Sequence, residues 1–300
     1  MASAGLKFLD PKILGKIKTL ELKAKYVVEG FVTGLHKSPY KGFSCEFAEY
    51  RQYMPGDDLR YIDWKVYGRT DKFYIKEFED ETNLRTYITL DISESMGYKG
   101  KRAGISKLEY SSYLAASMSY FMSQQRDSPG LVTLDNKICK YIPSSLKAGQ
   151  LQIILRTLEE IQPGASSNLA APLHQLAEIY SRRGVVILIS DLMDDEEGVL
   201  SALKHMRFKG HEVILFHVLD HDELEFPFTG LSRFEEMETN KEMLTLPDAV
   251  RASYLKNINN FINNWKLECR KLDIDYVLLD TAKPLDFALM SFLAKRSGLM

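Results

Sequence analysis

From about residue 86 onward, short apolar runs rich in β-branched residues alternate with longer stretches whose apolar positions recur at helical spacing. The runs predict strands over Tyr87–Asp91, Gly130–Asp135, Val185–Asp191, Glu212–Leu219 and Tyr276–Asp280. The stretches predict helices over Lys107–Gln125, Lys147–Ile161, Asn168–Arg182, Glu196–Phe208, Asp248–Lys271 and Pro284–Lys295. Such alternation is the sequence form of an α/β fold, a doubly wound and mostly parallel sheet with helices on both faces. The run ICKYI, following the turn Asp135-Asn136-Lys137, predicts a short antiparallel edge strand, because so brief a connection reads as a hairpin.

The first 85 residues lack this alternation. A basic amphipathic helix is expected around Pro11–Val28, followed by an aromatic and charged segment. Its portion YIDWKVYGRTDKFYIKEF is rich in strand-forming residues, so a small sheet-like extension is expected over residues 1–85. Residues 86–300 then form the α/β domain. Within it, the acidic stretch from about 220 to 247 is too long for a simple connection and predicts an inserted loop or hairpin.

Composition narrows the function classes. The 300 residues are 45% hydrophobic, enough for a substantial core, and 39 Lys and Arg against 41 Asp and Glu leave a net charge of −2. No global field recruits nucleic acid or an anionic membrane. Cys45, Cys139 and Cys269 are far apart and include no C-x-x-C pair, which fits a reducing compartment. The apolar runs are strand-sized and the first residues lack a signal-peptide core, so no membrane insertion and a cytoplasmic location are expected.

Candidate chemistry lies where the strands end. Asp91, Ser93 and Ser95 follow the apolar run YITLD, and a turn after Asp91 lets one carboxylate and two hydroxyls converge. Hard divalent ions take such all-oxygen sets. Asp191 ends a second buried run, VVILISD, and ligands of open α/β sheets bind beyond strand carboxyl ends where strand order reverses. The segment Gly164–Leu169 offers a hydroxyl from a third loop, leaving one octahedral position for water or a partner's carboxylate. The same serines are also ordinary helix caps, and the spacing alone leaves both readings open.

Two sets of motifs carry a resemblance. DISESM, ASSNL and ISD stand in the order and approximate spacing of the three metal-binding loops of von Willebrand factor type A domains. The segment EFAEYRQYMPGDDLRYIDWKVYGRT resembles the hallmark of the bacterial domain-of-unknown-function-58 family. In that family it precedes a von Willebrand A-like domain, and members are encoded beside MoxR-type AAA+ ATPases. The resemblance runs from about Leu9 to the C-terminus and implies a metal-ion-dependent adhesion site for Mg²⁺ or Mn²⁺. Its ligands would be Asp91, Ser93 and Ser95 from the first loop, Ser167 from the second and Asp191 from the third. Type A domains usually carry Thr in the second loop, where this chain has Ser166 and Ser167. The implied role is a non-enzymatic adaptor or chaperone-like protein that binds a MoxR-type ATPase, or its client, through a partner carboxylate.

Other signals remain beside this one. After the turn Pro55-Gly56, the residues Asp57, Asp58, Arg60 and Asp63 suit ion pairs that pin the extension to the sheet, whereas Arg51, Arg60 and Trp64 suit a partner-binding edge. Lys99, Lys101 and Arg102 form a solvated cluster able to steer an acidic partner. Phosphate-cradling glycine loops and a G-x-S-x-G elbow are absent from the sequence, and Ser93 stands where a phosphoaspartate phosphatase needs a second Asp. A zinc role for His211, His217 and His221 is disfavoured by the apolar strand separating the first two. The catalytic alternative is a metal-dependent phosphoester hydrolase using Asp91 and Asp191.

Overall fold

The computed structural model describes residues 19–35, 50–52, 64–70, 72–76, 85–164, 168–235, 242–285 and 288–289. Helix α1 (Leu20–Leu35) runs seven residues beyond the expected end at Val28. Its Leu20, Ala24, Val27 and Val28 form one apolar stripe buried in the core. Its Lys23 donates to the Tyr113 hydroxyl at 2.8 Å, and its Leu20 N–H donates to Glu159 Oε1 at 2.9 Å.

The expected strands of the extension are corrected in part. Strands β1 (Tyr50–Gln52) and β2 (Tyr74–Lys76) pair antiparallel, but the residues between them include a helix, α2 (Trp64–Thr70). Trp64 and Tyr67 lie three apart, so a helix sets both rings on one side, where each meets Phe73. Strand propensity gives way to that aromatic packing.

The main sheet begins at β3 (Arg85–Asp91), which leads through a short 3₁₀ turn (Glu94–Gly97) to helix α3 (Lys107–Gln124). A capping box starts α3: Ser106 Oγ accepts the Glu109 N–H at 3.1 Å while Glu109 Oε2 accepts the Ser106 N–H at 3.0 Å. Strand β4 (Ser128–Leu134) and antiparallel β5 (Ile138–Ile142) follow, then α4 (Gln150–Glu160), α5 (Ala170–Ile179), β6 (Val185–Ser190), α6 (Glu196–Phe208) and β7 (Glu212–Leu219). After β7 come a short helix α7 (His221–Glu225), a hairpin of β8 (Ser232–Glu235) and β9 (Glu242–Thr245), the long helix α8 (Pro247–Lys271) and β10 (Asp275–Asp280). The helix expected over Pro284–Lys295 falls mostly outside the described residues.

The six-stranded sheet has the order β10-β7-β6-β3-β4-β5, with every pairing parallel except that of β4 with β5. This is the doubly wound, mostly parallel arrangement expected. Strand alternation divides the apolar side chains between two cores. Ile88, Leu90, Ile187, Ile189 and Phe216 face α1, α3 and α4, while Tyr87, Val186, Leu188, Val213 and Leu215 face α5, α6 and α8. Burial of each such side chain is worth about 1.5–3 kcal/mol. The strand order reverses between β3 and β6, the switch point beyond whose carboxyl ends open α/β sheets bind their ligands. Among the described residues no helix is long and apolar enough to cross a membrane.

Candidate metal centre

Asp91 is the last residue of β3 and Asp191 directly follows β6, so two adjacent parallel strands deliver both carboxylates to the switch point. Both side chains are buried. The chain turns after Asp91 because its Oδ1 accepts the Ser93 N–H at 2.8 Å, a local side-chain-to-backbone bond that replaces the ladder. Its Oδ2 accepts the Ser190 hydroxyl at 2.6 Å, which ties the first loop to the end of β6. The turn brings Ser93 Oγ to 3.2 Å from Ser95 Oγ, and the Ser95 hydroxyl also bonds Asp191. Asp91, Ser93, Ser95 and Asp191 therefore form one continuous polar cluster.

The third loop is held in an uncommon conformation. Leu192, buried beside Asp191, has φ +57, a left-handed backbone that L side chains adopt only when their surroundings impose it. Its N–H donates to Ser190 Oγ at 2.9 Å and its carbonyl accepts the Asp194 N–H at 2.8 Å. Asp191 Oδ1 accepts the Met193 N–H at 3.2 Å, and its carbonyl lies 2.9 Å from His217 Nε2. Burial pushes His217 down to about 4, so this imidazole is neutral.

Of the second loop, Gly164 and Leu169 are described, whereas Ser166 and Ser167 lie outside the described residues. The Gly164 N–H donates to the Ile92 carbonyl at 2.6 Å, and the Leu169 N–H donates to Asp194 Oδ2 at 2.5 Å. Both flanks of this loop are thus fastened, one to the first loop and one to the third. A Cβ at Gly164 would lie 2.6 Å from Asp135 Oδ2 and 3.2 Å from the Ile92 carbonyl, so a larger residue there would displace the Asp135 carboxylate and crowd the Ile92 backbone.

The electrostatics of the two carboxylates diverge. Burial, then the charge of Asp191, raises Asp91 to about 7 against the opposing bonds from Ser190 and Ser93. For Asp191 burial also acts upward, but the Lys107 ammonium outweighs it and holds the carboxyl below its usual range, with help from Ser95 and the Met193 N–H. Lys107 Nζ lies 2.7 Å from Asp191 Oδ2 and 2.8 Å from Glu223 Oε1. Lys107 and Ser190 were not among the residues singled out from the sequence. The available signal was a lysine opening a helix whose only other charged residue is Glu109, at the end where the helix dipole disfavours a cation.

The donor set suits a hard cation. Ser93 Oγ and Ser95 Oγ at 3.2 Å are near the spacing of ~3 Å between neighbouring ligands of an octahedral ion with bonds of ~2.1 Å. Two buried carboxylates that repel each other add the anionic charge a divalent ion needs. Among the described residues no group of three or more His, Cys, Asp and Glu is arranged to hold a metal.

The candidate residues of the extension are not brought to this cluster by any described contact. Arg60 lies outside the described residues, Arg51 is described in its backbone as part of β1, and Trp64 is 62% exposed beside Tyr67 and Phe73. Of the basic cluster, Arg102 pairs with Glu225 at 2.8 Å, whereas the Lys101 N–H is tied to Asp222 Oδ2 at 2.9 Å.

Known proteins similar to this chain include Uncharacterized protein Mb1516 of Mycobacterium bovis, 27% identical over 226 residues, covering 74% of this chain and 69% of that protein. Solved structures similar to it include BatB from Bacteroides thetaiotaomicron, with TM-score 0.48 and 17% identity over 72% of this chain and 99% of that chain. The VWA domain of SpRpn10 is similar at TM-score 0.33 and 15% identity, covering 45% of this chain and 75% of that chain. The family described as "Protein of unknown function DUF58" matches residues 49–260, more than half of the sequence, and the chain belongs to that family.

Proposed function

We propose that the switch point between β3 and β6 is a metal-ion-dependent adhesion site through which this DUF58 protein binds a partner protein. Asp91, Ser93 and Ser95 would hold Mg²⁺ or Mn²⁺ together with Ser167 of the second loop, and Asp191 would complete the set directly or through water. The observation that carries this reading is the cluster itself: two buried carboxylates and two serine hydroxyls from separate loops in mutual contact, with Asp91 raised to about 7 by burial and its neighbour. A bound divalent ion supplies a positive centre with one exchangeable position, and a carboxylate from a partner is the hard anionic ligand that suits it. The protein's own groups keep the ion's other ligands fixed in a water-poor setting. Family membership makes a MoxR-type AAA+ ATPase, or its client, the partner we propose, with an adaptor or chaperone-like role in the cytoplasm.

Thermal denaturation tests the site. Mg²⁺ at a hundredfold excess over its dissociation constant should add about 2.7 kcal/mol of stability to the wild type. Asp91→Ala should lose that gain, and an equal gain in both proteins would refute the assignment. Capture of the ATPase by the full chain should require the divalent ion; equal recovery with chelator would place the interface elsewhere. Turnover of a generic phosphoester that disappears in Asp191→Ala would favour the hydrolase reading instead.

A further inference from the structure

Lys107 is buried to 1% exposure at the start of α3, where both burial and the helix dipole oppose an ammonium. It is held there from three sides. Asp191 Oδ2 lies at 2.7 Å, Glu223 Oε1 at 2.8 Å and the Tyr98 ring centroid at 5.9 Å. Glu223 is itself locked, since its Oε2 accepts the Asp220 N–H at 2.7 Å in the capping box of α7. The sheet order sets these groups side by side: Asp91 ends β3, Asp191 follows β6, and Glu223 follows β7. Lys107 therefore meets Asp191 on the β7 side, while Ser95 and the Asp91 cluster lie on the β3 side.

We propose that Lys107 is a resident cation that sets how tightly the adhesion site takes a divalent ion, and that Glu223, fixed in the cap of α7, partly offsets its charge. The inference rests on the metal reading above. Because Asp191 is already paired, an ion held by Asp91, Ser93 and Ser95 meets one uncompensated carboxylate instead of two, and a fixed positive charge stands behind Asp191. Two consequences follow from Coulomb's law alone. Affinity for the metal is lowered, and the bound ion keeps more of its positive charge for an anionic ligand arriving from outside.

Titration calorimetry with Mn²⁺ on the full chain at pH 8 separates this role from a merely structural one. Lys107→Met should bind Mn²⁺ at least about tenfold more tightly than the wild type, because a charge a few ångströms away is removed. Glu223→Gln should bind severalfold more weakly, although Glu223 touches none of the proposed ligands, because it removes the negative charge that offsets the Lys107 ammonium. Should Lys107→Met fail to fold with Asp191 and Glu223 left unpaired, the double variant K107M/E223Q removes one charge of each sign and should still bind more tightly than the wild type. Wild-type binding that is lost in Asp91→Ala but unchanged or weaker in the lysine variants would overturn the inference and leave the site standing. Binding by neither wild type nor Lys107→Met would overturn the site, and the inference with it.

Discussion

At Asp91 the protonated carboxyl is favoured up to about pH 7, because burial and the Asp191 charge both penalise ionisation. A group whose folded-state value is raised contributes stability that is complete below its ordinary value of 3.8 and lost as pH climbs through about 7. In divalent-free buffer Asp91 should therefore remove stability on the order of 3 kcal/mol between pH 5 and 8, against a smaller opposing rise from His217, whose neutral form is favoured by burial down to about 4. Asp191 works in the opposite sense: its value is depressed, so its contribution is lost only as pH falls below the ordinary carboxylate range. That window does not overlap the first. Asp91→Asn should abolish that loss, so that its stability relative to the wild type rises by on the order of 3 kcal/mol from pH 5 to pH 8 while the His217 contribution stays in both proteins. Denaturant titrations across that range check it, and parallel profiles for the two proteins would reassign the titration. Asp91, Ser93, Ser95 and Asp191 were legible because oxygen-bearing residues that close a buried strand interrupt its apolar run. Ser190 was not, because inside VVILISD it reads as one more strand residue and its bond to Asp91 crosses 99 positions.

Among the elements, helix boundaries followed local chemistry. Ser106 and Glu109 mark the start of α3, and Pro247 at the first position of α8 suits a residue that lacks an N–H to satisfy. Helix α4 begins only at Gln150, after Gly149 adopts φ +88, so the expected start at Lys147 yields to a left-handed turn. Helix α2 was misread because its aromatic residues carry strand propensity, and only their meeting with Phe73 selects the helix. The second loop depends on a close approach of two backbones. In Gly164→Ala the new Cβ would sit 2.6 Å from Asp135 Oδ2 and 3.2 Å from the Ile92 carbonyl, pushing the loop away from the first loop. We expect a loss of about 1–3 kcal/mol of stability together with severalfold weaker Mg²⁺ binding, read by denaturation and calorimetry. Unchanged binding would show that the fastening of Gly164 to Ile92 does not serve the site.

For the whole molecule, helices packed on both faces of one sheet hold the strand ends that carry the site. Trp265 of α8 is fully buried against the second core and meets Phe261, whose ring lies 5.5 Å from that of His217. Trp265→Ala should cost about 3–5 kcal/mol, seen as a lower denaturation midpoint with an unchanged denaturant slope. A loss below about 1 kcal/mol would mean that α8 is a peripheral addition instead of a wall of the core. The sequence alone determined that strands and helices alternate, which strands are buried on both sides, and that Asp91 and Asp191 stand at strand ends. Each of these is a local property, because burial on one or two faces writes its period directly into neighbouring residues. Only the tertiary structure decided that β3 and β6 lie side by side and that Lys107 reaches Asp191 and Glu223. Those contacts join residues 84 and 116 positions apart, and no local pattern encodes which distant charge a buried ammonium will meet.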